Sequence, residues 1–207
     1  MRNSCMYDQG FTLLHFVWEL ALELFVFLYH DSLCYLYLFK RKTVTLLDVE
    51  TIEQISYGAS VLASGGGGDP YIGKIMAQQA IEKHGLIRLI SINELHPNDM
   101  LLSTGMTGSP AVMIEKLPNG KESILACRRV EESLKKKITA IYPIEAGGIN
   151  SLLPLTTACR LGLPVVDVDG MGRAFPQFHI TTFYLDNINA SPFVVIDLLL
   201  SMKNLMQ

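Results

Sequence analysis

The chain is poor in cysteine and in positive charge, and each shortage argues against a class of protein. Its 207 residues contain only four cysteines, and no two of them have the spacing of a zinc-ligand pair or a redox motif. So few cysteines argue against a disulfide-stapled secreted domain and favour a reducing, cytoplasmic compartment. The net charge of −3 leaves no excess of lysine and arginine for phosphates, so nucleic acid is not expected as a partner.

An uncharged hydrophobic run of membrane-spanning length is also missing, although residues 11–39 are rich in Leu, Phe, Tyr and Val. Glu19 and Glu23 fall on one helical face, and Asp31 interrupts the next window. The apolar side chains would gain about 4 to 7 kcal/mol on insertion, and the two glutamates offset that gain. We predict an apolar extension over residues 1–41 that lies outside the domain. Non-native upstream sequence and a membrane anchor both stay open, with the membrane disfavoured as a partner.

Glycine is abundant beyond that extension, and four consecutive glycines form the most informative motif of the chain. The motif, residues 64–70, reads SGGGGDP. Glycine lets backbone N–H groups approach a ligand closely, and Asp69 before Pro70 is typical of a helix N-cap followed by the first helical residue. A binding loop for an anion or a polar heterocycle is therefore favoured over a flexible linker, which usually runs longer.

Helices and strands are predicted to alternate along the remaining chain. Apolar spacing predicts helices over about 48–62, 70–84, 122–136 and 151–161, and short apolar runs predict strands over 87–91, 100–104, 138–145 and 164–169. This alternation predicts an α/β fold, a layered, mixed or partly parallel sheet with flanking helices. We assign residues 42–197 to this domain and residues 198–207 to a tail.

Ligands of such sheets collect beyond the carboxyl ends of parallel strands. Glycines and polar side chains follow three of the predicted strands, and we expect them to face one crevice with the glycine motif if those strands are neighbours. Ordinary turns are the alternative. The candidate substrate-binding residues are Gly65, Gly66, Gly67, Gly68, Asp69, Gly105, Thr107, Gly108, Gly147, Gly148, Asn150 and Arg173.

Three carboxylates, Glu145, Asp167 and Asp169, are the candidate catalytic residues. Asp167 and Asp169 are two apart on a predicted strand, so their side chains should share a face at a spacing of about 7 Å. They could act as a base and its orienting partner, or hold a divalent cation together with Glu145 and His179. In the competing interpretation one aspartate caps the turn at Gly170 and the other is solvated.

Nucleotide binding is a weaker alternative. Residues 68–74 match the G-x-x-x-x-G-K pattern of a phosphate-binding loop. Ile75 stands where that loop needs a serine or threonine for the metal, and a predicted helix precedes the glycines where a strand is required.

Several motifs in matching order resemble the S-methyl thiohydantoin desulfurase-like family, which is also found fused to hydantoinase/oxoprolinase proteins. The motifs are residues 65–71, 105–110, 115–118, 143–151 and 166–176. The resemblance implies an α/β amino-terminal domain and chemistry on hydantoin-like cyclic amides, with hydrolysis or desulfurisation of an S-methyl thiohydantoin as the implied reaction. It also implies a second domain after Pro192, so the chain looks like a truncated member.

Two hypotheses about function therefore stay open. In the first, the domain binds a small polar heterocycle and catalyses its hydrolysis. In the second, the chain is a truncated, non-catalytic remnant that at most associates with a partner subunit or with a second copy of itself.

Overall fold

The computed structural model of this chain describes residues 46–63, 66–108, 118, 120–175, 180–188, 191–196 and 202–205. The predicted extension over residues 1–41, the candidate Gly65 and the additional candidate ligand His179 lie outside these ranges. Within them, none of the helices has both the length and the apolar character that crossing a bilayer requires.

A mixed, mostly parallel sheet of five strands organises the domain and confirms the predicted α/β fold. Its strands are β1 (Leu46–Leu47), β2 (Ile87–Ile90), β3 (Leu101–Thr104), β4 (Ala140–Pro143) and β5 (Val165–Val166). They lie in the order β1-β2-β5-β4-β3. The four strands β2, β5, β4 and β3 run parallel, whereas β1 pairs antiparallel with β2 at the edge.

The described residues form five α-helices in addition to this sheet. They are α1 (Val49–Leu62), α2 (Pro70–His84), α3 (Lys121–Leu134), α4 (Leu153–Leu161) and α5 (Thr182–Leu185). The first two helices begin where the sequence predicts. The carboxylate of Asp48 accepts a hydrogen bond from the Thr51 N–H at 2.8 Å, and that of Asp69 accepts one from the Tyr71 N–H at 2.9 Å. These caps satisfy N–H groups that a helix N-terminus leaves without a partner.

Most of the buried apolar side chains form one core between the sheet and helices α1, α2 and α4. Ile52, Ile81, Ile141, Leu155 and Val165 belong to this cluster. A smaller cluster on the opposite face of the sheet contains Ile90, Ala140 and Val166. The larger core fixes α2 and α4 on the sheet, and so it sets where the loops at their amino-terminal ends lie.

Several predicted elements have different bounds from those that the sequence suggests, and the changes after β5 and before α4 affect candidate site residues. The β5 ladder stops at Val166, so Asp167 and Asp169 lie beyond the strand and the alternation argument for their spacing was wrong. The physical reason is the turn that follows, where the Val168 N–H donates to the Val166 carbonyl. Residues 148–151 form a 3-10 turn before α4, so the helix begins later than predicted.

Part of the predicted tail also has regular structure. Strand β7 (Met202–Leu205) pairs antiparallel with β6 (Phe193–Ile196) in a separate two-stranded sheet. Each β6 side chain is half-buried.

Candidate functional site

The three candidate loops leave the same edge of the sheet from neighbouring strands. Strand β4 is paired in parallel with β3 on one side and with β5 on the other. The loops therefore begin side by side, at Gly105 after β3, at Ile144 after β4 and at Asp167 after β5. The strands are parallel neighbours, which is what a common crevice for the three loops requires.

Asn150 joins the loop after β3 to the loop after β4. Its Oδ1 accepts a hydrogen bond from the Met106 N–H at 2.6 Å, and its Nδ2 donates to the Met106 carbonyl at 2.9 Å. The same Nδ2 donates to Oε1 of Glu145 at 2.5 Å. Only 4% of Asn150 is exposed, so its carboxamide is committed to contacts inside the protein.

Glu145 connects this pair to the loop after β5. Its second oxygen, Oε2, accepts a hydrogen bond from the Phe175 N–H at 3.1 Å. Glu145 is 7% exposed, and burial of a carboxylate is tolerated only when donors satisfy it. The two donors make Glu145 the link between Asn150 and Phe175, and one hydrogen-bonded chain through the buried side chains of Asn150 and Glu145 holds the three loops.

Asp169 joins the loops after β4 and β5 a second time. Its Oδ2 accepts hydrogen bonds from the backbone N–H groups of Ala146 at 3.0 Å, Met171 at 3.3 Å and Gly172 at 2.6 Å. Burial raises the pKa of this carboxyl above its usual value, against the effect of the three donors and with a further contribution from the charge of Glu145. The bonds to Met171 and Gly172 are those of a turn cap, the arrangement named as the alternative to catalysis.

Asp167 has a different environment from Asp169. It is half-buried, and its backbone N–H donates to the carbonyl of Ile90 at 2.9 Å. Through this bond, contact with β2 continues one residue past the end of β5. Asp167 is therefore the candidate carboxylate that directly follows a strand end.

The glycine motif packs directly against the loop after β4. The Gly67 carbonyl accepts a hydrogen bond from the Ile149 N–H at 3.1 Å. A Cβ on Gly67, where φ is +83°, would lie 2.9 Å from the Ala174 Cβ and 3.1 Å from the Gly147 carbonyl oxygen, and a Cβ on Gly148 would overlap the Gly67 carbonyl. Glycine at these positions thus allows two backbones to meet.

Gly66 and Gly68 are less crowded. A Cβ on Gly66 would approach only the Ala174 Cβ, at 3.9 Å, and one on Gly68 would have no described atom within 4 Å. Gly68 therefore has open space on its Cβ side, whereas the Gly66 N–H already donates to the Ala63 carbonyl at 2.9 Å.

Apart from the half-buried Asp167 and Asp169, the predicted site residues that the structure describes separate into an exposed rim and a buried floor. The rim residues are at least partly exposed and comprise Gly66, Gly67, Gly68, Asp69, Gly105, Thr107, Gly108 and Arg173. The guanidinium of Arg173 lies over the Phe175 ring, 5.7 Å from its centroid. The floor residues are buried and comprise Glu145, Gly147, Gly148 and Asn150.

Sequence reasoning missed Met106, Ala174 and Phe175. Met106 and Phe175 contribute backbone groups, and Ala174 contributes a small side chain against Gly67. Such contacts leave no residue-type signature, because any amino acid except proline supplies an N–H group. The family motifs over residues 105–110 and 166–176 gave the only sequence signal for them.

The described residues offer little for a metal or a nucleotide. No group of three His, Cys, Asp or Glu side chains in the described ranges is arranged to hold a metal ion. Lys74, the lysine of the phosphate-loop-like pattern, forms an ion pair with Glu53 at 3.3 Å and lies 5.5 Å from the Tyr71 ring centroid. A helix, α1, precedes the glycines, so the strand that a phosphate loop requires is not there.

Comparisons with known proteins identify the family. A crystal structure of a protein from Chromobacterium violaceum is similar, with a TM-score of 0.61 and 23% identity over 77% of this chain and 44% of that chain. At this identity the likeness shows the fold alone, and the chain spans less than half of that relative. No curated protein matches. The family model described as S-Me-THD-like, N-terminal domain, matches residues 50–200. The match covers well over half of the chain, which therefore belongs to the S-Me-THD-like family and contains its N-terminal domain.

Proposed function

We propose that this domain binds a hydantoin-like cyclic amide at the rim formed by the glycine motif and the loops after β3, β4 and β5, and that it takes part in hydrolysing an S-methyl thiohydantoin. The observation that supports the proposal best is the convergence of these loops at one sheet edge, with Asn150, Glu145 and Asp169 holding them together. The family to which the chain belongs is named for this class of compound.

A cyclic amide suits the groups that the rim offers. Its ring carbonyl accepts hydrogen bonds, which the backbone N–H of Gly68 would donate, and its ring N–H groups need acceptors. Open space on the Cβ side of Gly68 would let the ring approach the backbone there. Arg173 and Phe175 would border the ring with a planar cation and an aromatic face.

Asp167 is the carboxylate that we propose as the general base. In the hydrolysis a water oxygen bonds to the ring carbon that carries the methylthio group, the C–S bond breaks, and methanethiol leaves with a proton. Asp167 would accept the proton from the attacking water and return one to the leaving sulfur. Glu145 and Asp169 would hold the loops in place, because both oxygens of Glu145 and Oδ2 of Asp169 already accept hydrogen bonds from backbone and amide donors of these loops.

The test combines titration calorimetry with detection of methanethiol. Asp167→Asn should weaken binding of hydantoin or of S-methyl thiohydantoin at least tenfold, about 1.4 kcal/mol, with little change in Tm. Asp186→Asn, the same change at an exposed carboxylate directly after α5, is the matched control and should bind normally. Equal affinities for both variants would refute the proposed site.

Turnover is tested separately. Release of methanethiol by the wild-type chain, lost in Asp167→Asn, would support hydrolysis. Binding without methanethiol would refute catalysis by this chain and leave a binding module, as the remnant hypothesis holds.

A further inference from the structure

We propose that Asn150 is a positioning residue that couples two parts of the rim, the loop at residues 105–108 and the segment at residues 172–175, by acting through the buried carboxylate of Glu145. This inference rests on the proposed function only in treating these segments as the rim of a binding site. It changes the role expected for Asn150 from a substrate contact to a support beneath the site.

The carboxamide of Asn150 is matched to the peptide group of Met106. A side-chain amide can pair with one residue as a neighbouring β-strand does: it accepts a hydrogen bond from the N–H of that residue and donates one to its carbonyl. The two bonds together hold the peptide groups on either side of that residue. The two distances are 2.6 and 2.9 Å. Rotating the amide by 180° would set its N–H groups against the Met106 N–H, so the contacts permit one orientation.

The link continues from Asn150 through Glu145 to Phe175. The remaining hydrogen of the Asn150 Nδ2 is donated to one oxygen of Glu145, and the other oxygen receives the Phe175 N–H. The links join residues 44, 5 and 30 positions apart in the chain. Loss of Asn150 therefore removes one of the two hydrogen-bond donors that the described residues supply to the buried Glu145 carboxylate. The same carboxylate accepts the Phe175 N–H and so holds Phe175 in place.

A purely local role for Asn150 would have a different consequence. If Asn150 only tightened its own 3-10 turn, removing it would loosen residues 148–151 and leave residues 172–175 unchanged. Coupling predicts an effect at Phe175, which Asn150 reaches through Glu145. This difference can be measured without any ligand, so the inference and the proposed function can fail independently.

The experiment is native-state hydrogen exchange followed by mass spectrometry on the full chain. Asn150→Ala should raise exchange of the Met106 and Phe175 amides at least tenfold relative to wild type. Thr157→Ala is the matched control, because Thr157 is also fully buried and donates to the Leu153 carbonyl in α4. The control should lower Tm without selectively raising exchange in either rim segment. Unchanged exchange at Phe175 in Asn150→Ala, or an equal rise in both variants, would overturn the coupling.

A second variant keeps the test meaningful if Asn150→Ala fails to fold. Asn150→Asp keeps an acceptor for the Met106 N–H but, when ionised, has no donor for Glu145 and adds a negative charge beside it. Asp169, whose pKa responds to Glu145, adds to the repulsion. Protonation of the introduced carboxyl would restore one donor, so protection of the Phe175 amide, relative to wild type at the same pH, should recover as the pH is lowered. Absence of this recovery would contradict the proposed role.

Ligand titration then separates the two proposals. If hydantoin binds the wild type, Asn150→Ala should bind it at least tenfold more weakly while Asp167→Asn retains normal exchange at Phe175. If no ligand binds but the exchange results hold, the proposed function fails and the positioning role stands.

Discussion

The carboxylate of Asp169 provides the sharpest test of how the site is held together. Its Oδ2 accepts three backbone N–H groups, two from its own turn and one from Ala146 in the neighbouring loop. Asp169→Ala removes the acceptor for all three. Asp169→Asn can keep an acceptor oxygen for these three donors, while it removes the charge and replaces the other carboxylate oxygen by an NH2 group.

The expected magnitude follows from where the three donors lie. Ala146 is fully buried, so its N–H would have no replacement partner, whereas Gly172 is exposed and water can replace the lost bond. An unsatisfied buried donor costs about 1 to 3 kcal/mol, and each bond to a charged acceptor contributes somewhat more than a neutral one. We expect Asp169→Ala to lower the free energy of unfolding by about 2 to 4 kcal/mol, or roughly 5 to 15 °C in Tm. Asp169→Asn should cost less than about 1 kcal/mol.

The charge of Asp169 adds a pH dependence of known sign. Burial raises its pKa in the folded protein above the usual value of 3.8, so the folded state binds more protons than the unfolded state in the window above pH 3.8. Ionisation of Asp169 therefore opposes folding, with no effect below that window and the full effect above the raised pKa. Relative to wild type, Asp169→Asn should become more stable as pH rises through the window.

Urea unfolding, monitored by circular dichroism at about pH 3.5 and about pH 7, measures both effects. Asp169→Ala should lower the free energy of unfolding far more than Asp169→Asn does. Relative to the wild type, Asp169→Asn should be more stable at neutral pH than at about pH 3.5. Equal stability of the alanine variant and the wild type would refute the structural role of the three hydrogen bonds. A shift in the opposite direction with pH would refute the sign of the pKa change.

Two further predictions concern the N-cap of α1 and the glycine motif. Asp48→Ala should cost about 1 kcal/mol at neutral pH. Because the Thr51 N–H lowers the pKa of Asp48, urea unfolding should show this difference shrinking as pH falls below 3.8 and through the lowered pKa. A difference as large at about pH 2 as at neutral pH would contradict this prediction. Gly67→Val should lower the free energy of unfolding by about 2 kcal/mol or more through contact with Ala174 and the positive φ, whereas Gly66→Ala should change it by less than about 0.5 kcal/mol. Equal melting temperatures for these two variants would count against the close backbone packing at residue 67.

Local structure followed from the sequence because its causes are local. Asp69 before Pro70 predicted the start of α2, and the helix ends at His84 as predicted, directly before Gly85 with its φ of +94°. Capping and the intrinsic freedom of glycine act over three or four residues, so they appear directly in the order of amino acids. The alternation of helices and strands likewise indicated a partly parallel sheet before any contact was known.

The tertiary structure alone decided the order of the strands and the partners of the candidate site residues. The sequence does not state that β4 lies between β3 and β5, and only that order brings Asn150 to Met106 and Glu145 to Phe175. Residue types suggested that Asn150 and Glu145 act on a ligand, yet both are buried and hydrogen-bonded to the protein. An amide or a carboxylate has the same chemistry whether it lies in the buried floor or at the exposed rim of the site. Only packing between residues far apart in the chain determines its position.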